Sequence, residues 1–112
     1  MSISFYGLDA EGKPIAQDVE DPKYLNMCAG NAVVLLKALG LESEVEEDPG
    51  IYGEVSMEKA LAAVQRGQGV FIDRLVSFAM PYNEEYFLRR FADFEACINE
   101  LKRLGAKKLY WG

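Results

Sequence analysis

The chain is predicted to fold as an α+β domain, with a mostly antiparallel or mixed sheet of three to five strands and three helices, one of them central. Three observations predict it. The first and last segments alternate apolar and polar residues, the period of a half-buried strand. The interior carries apolar stripes at helical spacing, closed by glycines. Finally, 112 residues, half of them hydrophobic, suffice for one real core and are too few for two, so residues 1–112 are read as a single globular domain.

The elements follow in order. Ser2 to Leu8 sets Ile3 and Phe5 against Ser4 and Tyr6, which is strand alternation. Asp9-Ala10-Glu11-Gly12 is a turn, and Lys13 to Ala16 is expected to return as a short partner. Pro14 confines that partner to an edge, because it has no N–H to donate. Asn26 is expected to cap the first helix, in which Leu25, Cys28, Ala32, Leu35 and Leu39 recur at helical spacing before Gly40 supplies the left-handed stop. Only a stripe around Lys37 is polar, so this helix is expected to be buried on more than one side.

After the turn at Asp48-Pro49-Gly50, Ile51 to Val55 is expected to be extended. Ser56 then caps a second helix with Met57, Ala60, Leu61 and Val64 on one face and Gly67 at its end. Gly69 to Met80 fits period two better than period 3.6. Val70, Ile72, Val76, Phe78 and Met80 share one parity, so a long strand broken near Asp73-Arg74 is expected. Asn83 caps the third helix, Glu84 and Glu85 suit its positive end, and Tyr82 is placed to staple onto Phe87. Phe87, Phe91, Phe94, Ile98 and Leu101 form its apolar stripe, and Gly105 stops it. Lys107 to Trp111 closes the chain as a strand.

The chain contains no histidine. Ser-His-Asp and Cys-His catalysis, His-ligated zinc and proximal-His haem therefore cannot be built from this chain alone. No glycine-rich phosphate loop, GxSxG or CxxC is present, and Glu46-Glu47-Asp48 lacks the alternating ligands and central glycine of a calcium loop. No catalytic residue, metal or cofactor is expected. Eighteen acids against twelve bases leave a formal charge of −6, which weighs against nucleic acid as a partner. Met1 to Gly12 lacks a basic leader region, and no apolar run is long enough to span a membrane. Two cysteines within apolar helical patterns fit a reducing compartment, so a soluble cytoplasmic protein is expected.

A few polar residues fall where packing alone would not place them. Cys28 and Cys97 are both expected in the core, although a thiol in the first turn of a helix would have a depressed pKa. Asn31 lies at the border of the apolar face, either tied to a neighbouring loop or facing a ligand. Arg90 and Arg74 interrupt apolar faces. Each must pair with an acid, snorkel to solvent, or join the other in recognising a carboxylate or phosphate. From Leu41 to Glu58 there are seven acids and no base, which reads as a solvated loop or as a surface for a basic partner.

LNMCAGNAVVLLKALGL, Leu25 to Leu41, resembles the asparagine-rich helix of small uncharacterised bacterial proteins, and GAKKLYWG, Gly105 to Gly112, is similar to their closing strand. The resemblance implies a compact bacterial or phage-type domain and nothing catalytic. The leading expectation is thus a non-enzymatic protein-interaction domain, immunity-like, inhibitory or regulatory. It would bind its partner through Glu44, Glu46, Glu47, Asp48, Tyr52 and Tyr110. The alternative is a small-molecule or anion-binding domain, even a minor enzyme, built on Asn31, Arg74 and Arg90.

Overall fold

The computed structural model describes residues 2–43, 52–78 and 83–112. Its elements, in chain order, are β1 (Ser2–Leu8), β2 (Leu25–Cys28), α1 (Ala29–Leu39), β3 (Gly53–Ser56), α2 (Met57–Gln65), α3 (Gly67–Phe78), α4 (Glu84–Arg103) and β4 (Lys108–Trp111). The strands form one antiparallel sheet in the order β2-β1-β4-β3, an α+β architecture. Ser2–Phe5 of β1 pairs with β2, and Phe5–Leu8 pairs with β4.

Strand alternation sorts the two faces. Ile3, Phe5, Leu25, Met27, Val55, Leu109 and Trp111 are buried in the core, while Ser4, Tyr6, Asn26, Glu54, Lys108 and Tyr110 alternate with them on the outer face. The α4 stripe Phe87, Phe91, Phe94, Ile98 and Leu101 is buried throughout. Phe94 meets Phe5 edge-on, with ring centroids 5.8 Å apart, a geometry the ring quadrupoles favour. α1 packs against α3, α4, β1 and β2, with Ala32, Leu35, Leu36, Ala38 and Leu39 buried. Two of the three expected caps are present: Ser56 Oγ accepts from the Lys59 N–H and Asn83 Oδ1 from the Tyr86 N–H. The expected staple residue Tyr82 lies outside the described residues.

The structure corrects three expectations. There are four helices among the described residues rather than three, because Gly67–Phe78 is helical. Only Phe71 and Leu75, one helical turn apart, are buried there, and Val70 and Val76 are exposed. The shared parity of the valines therefore reflects two exposed positions rather than a sheet face. Second, Asn26 does not cap a helix. Leu25 and Met27 point into the core from β2, and α1 begins two residues later than expected, at Ala29. Third, the Lys13–Ala16 return makes only the single bridge Leu8–Pro14, since β2 occupies that side of β1 further along.

Among the described residues one charged side chain is buried. Glu100 on α4 is 6% exposed; its carboxylate takes the Lys23 ammonium at 2.8 Å and the Arg103 guanidinium on its other oxygen. Lys23 first, and then Arg103, hold the Glu100 pKa below the usual carboxylate value. The link ties the segment before β2 to α4. A depressed folded-state pKa contributes stability that is present above the unfolded carboxylate value, about 4.3. That contribution is lost as pH falls through the folded value. Glu100→Gln is therefore expected to lower the urea midpoint at pH 7, and the gap to the unsubstituted protein is expected to narrow below about pH 4. A gap that stays constant across that range would show that the link does not titrate with folding.

Candidate functional site

A concavity formed by described residues lies where the C-terminal halves of α1 and α3 meet one end of the sheet. It has a volume of about 630 Å³, within the size range of small-molecule sites. Ile3 of β1, Leu36 of α1, Leu41 and Trp111 of β4 supply an apolar floor, and all four are buried. Val33, Lys37, Arg74, Ser77 and Phe78 line the helical side, and Glu42, Ser43 and Tyr52 the opposite rim.

Local sequence explains this opening. α1 ends at Gly40, whose φ of 72° is left-handed, a conformation available to glycine at no steric cost. The absence of a side chain also lets two guanidinium groups lie close, since a Cβ would stand 2.6 Å from Arg74 Nη1 and 3.1 Å from Arg66 Nη1. Arg66 Nη1 donates to the Leu39 carbonyl at 3.0 Å, a basic side chain satisfying one carbonyl of the helix end. Gly53 performs the equivalent service at the other rim, where a Cβ would approach Trp111 to 2.6 Å. The indole thereby closes the floor.

The cations of the cleft are unevenly engaged. The Lys37 ammonium sits 4.5 Å from the centroid of the Phe78 ring, a cation–π contact. Arg74 is exposed, and its main-chain carbonyl accepts the Ser77 hydroxyl at 2.6 Å. Among the described residues neither Lys37 nor Arg74 has an acidic partner within ion-pair distance.

The three residues of the ligand-binding alternative do not converge. Asn31 and Arg90 do meet, on Tyr86 of α4. The Tyr86 hydroxyl accepts from Asn31 Nδ2 at 3.1 Å and, in a long contact of 3.5 Å, from Arg90 Nε. Arg90 also pairs with Asp93 at 2.9 Å. Tyr86 first, and Asp93 with it, raises the Arg90 pKa. The group satisfies its own polar atoms and ties the start of α1 to α4, which is the structural role open to Asn31 and Arg90. Arg74 lies at the other end of α1, about 13 Å along the helix axis from Asn31. It was displaced from the expected trio because its segment is a helix and not a strand.

Of the expected interface, Glu44, Glu46, Glu47 and Asp48 lie outside the described residues. Tyr52 and Tyr110 flank Gly112, since a Cβ there would lie 2.6 Å from Tyr52 and 2.9 Å from Tyr110. The Tyr110 ring in turn stacks on Tyr6 across the outer sheet face, at 4.9 Å between centroids. Tyr52 thus belongs both to the expected interface and to the cleft rim.

Cys28 requires a correction. It occupies the cap position of α1 and is exposed rather than packed in the core. β2 turns its even-numbered residues outward, and residue 28 is the last of them. The sulfur makes no capping hydrogen bond of normal geometry, yet the N–H groups of Gly30 and then Asn31 lower its pKa. Cys97 is buried as expected, and burial pushes its thiol up to about 12. Among the described residues no cluster of Cys, Asp and Glu is placed to hold a metal ion.

Comparison of the chain with protein-family models, with curated proteins and with solved structures finds no match. The function is accordingly argued from the site alone.

Proposed function

We propose that the protein is a non-enzymatic binding domain whose working surface is the cleft between α1, α3 and the Trp111 end of the sheet. The observation that carries this reading is the cleft's construction: a buried apolar floor under a rim of a few convergent polar groups, as binding sites are generally built. Of the two roles expected from the sequence, this reading follows the small-molecule alternative, seated at the cleft rather than on Asn31 and Arg90. No helix among the described residues is long and apolar enough to cross a membrane, and two free cysteines support a reducing, cytoplasmic setting.

A thermal-shift screen of small organic compounds tests the reading. At ten times its dissociation constant a cleft ligand is expected to stabilise the fold by about 1.4 kcal/mol and to shift the indole N–H resonance of Trp111, the chain's one tryptophan. Val33→Phe adds bulk at an exposed rim position and is expected to abolish both effects without unfolding the protein. Hits that ignore Val33→Phe, or that shift Tyr86 and Arg90 instead, would move the site elsewhere.

A protein partner is the second reading, favoured by the approach of Tyr52 and Tyr110 to each other beside Gly112. Its mark is association that slows as salt rises.

A further inference from the structure

The cleft's charge is opposite to that of the chain. The protein carries −6 overall, yet among the described residues the helical side of the cleft presents Lys37 and Arg74, and the facing rim presents one acid, Glu42. Burying an apolar body on the floor lowers the local dielectric, which strengthens attraction to these two cations. Lys37 is held over Phe78, which leaves Arg74 with a planar fork of donors free for a carboxylate. Glu42 across the opening disfavours a second negative charge. Trp111, Phe78 and Tyr52 supply flat surfaces for a ring or a short hydrocarbon chain.

Resting on the binding role proposed above, we infer that the cleft selects small organic monocarboxylates, with an apolar body on Trp111 and the carboxylate between Lys37 and Arg74. A matched pair of probes, 4-phenylbutyrate and 4-phenylbutan-1-ol, separates charge from shape. Binding is followed by Trp111 emission and by calorimetry. The carboxylate is expected to bind about tenfold or more tightly than the alcohol, the usual margin for a charge-assisted hydrogen bond. Arg74→Gln and Lys37→Gln are each expected to bring the carboxylate towards the affinity of the alcohol while leaving the alcohol unchanged. Lys102→Gln, an exposed lysine on α4, controls for net charge and is expected to change neither.

Equal binding of the two probes would overturn the carboxylate selectivity and leave the cleft as an apolar site. Equal loss of both probes in Arg74→Gln would also overturn it, because Arg74 would then be shaping the cleft and not reading charge. If neither probe perturbs Trp111, the selectivity and the cleft reading fail together.

Discussion

Leu75→Ala is expected to destabilise the protein by about 2–5 kcal/mol, the cost of truncating a core leucine whose surroundings relax only in part. Leu75 has no exposed surface, and it lies one helical turn from Phe71, whose ring meets Phe91 of α4 at 5.0 Å. The neighbouring Val76 is 45% exposed, and Val76→Ala is expected to stay within about 0.5 kcal/mol of the unsubstituted protein. The pair discriminates because a strand would place Val76, with Ile72 and Phe78, on a buried face. Urea titration of both variants decides it. A large loss at Val76 would restore the strand, and with it a different neighbourhood for Arg74.

The second large effect separates the two cysteines. With a thiol reagent near pH 8, Cys28 is expected to label within the mixing time of an ordinary experiment, because it is exposed and its pKa is lowered. Cys97 is expected to be inert until the protein is denatured. A pKa of about 12 leaves roughly one part in ten thousand ionised at pH 8, and access requires the core to open. One fast equivalent under native conditions and a second after denaturation is the expected pattern. Two slow equivalents would put Cys28 back in the core. Fast labelling of Cys28 would establish its exposure at the start of α1.

Much of the fold was legible because local signals and burial agree. α4 combines a cap at Asn83, acids in its first turn and a phenylalanine stripe, and each of these points to the same face. β1 and β4 alternate cleanly. The misreadings fall where two periods coincide. Leu25, Cys28 and Ala32 fit a helical spacing, yet Leu25 and Met27 are also two apart, and the sheet claims them. In α3, burial is confined to Phe71 and Leu75, so exposed valines dominate the pattern. The candidate site was less legible for the same reason: Lys37 reads as an ordinary polar stripe and Arg74 was assigned to the wrong element. Nothing local indicates that the ends of α1 and α3 stand beside Trp111.

The sheet order β2-β1-β4-β3 has a kinetic consequence. Its middle seam joins the first strand to the last, with Phe5 opposite Trp111. Closing a loop of about a hundred residues costs on the order of 4 kcal/mol in chain entropy before that seam returns any stabilisation. β3 has β4 as its only strand neighbour in the order, so a chain lacking Lys108–Trp111 has no partner to which β3 can add. Helices α1 to α4 can collapse early as local structure, but the sheet beneath them is completed only when that long-range seam closes. Such long-range pairing slows folding relative to a helical protein of the same size. It also ties the cleft, built on the Trp111 end of the sheet, to the most non-local pairing among the described strands.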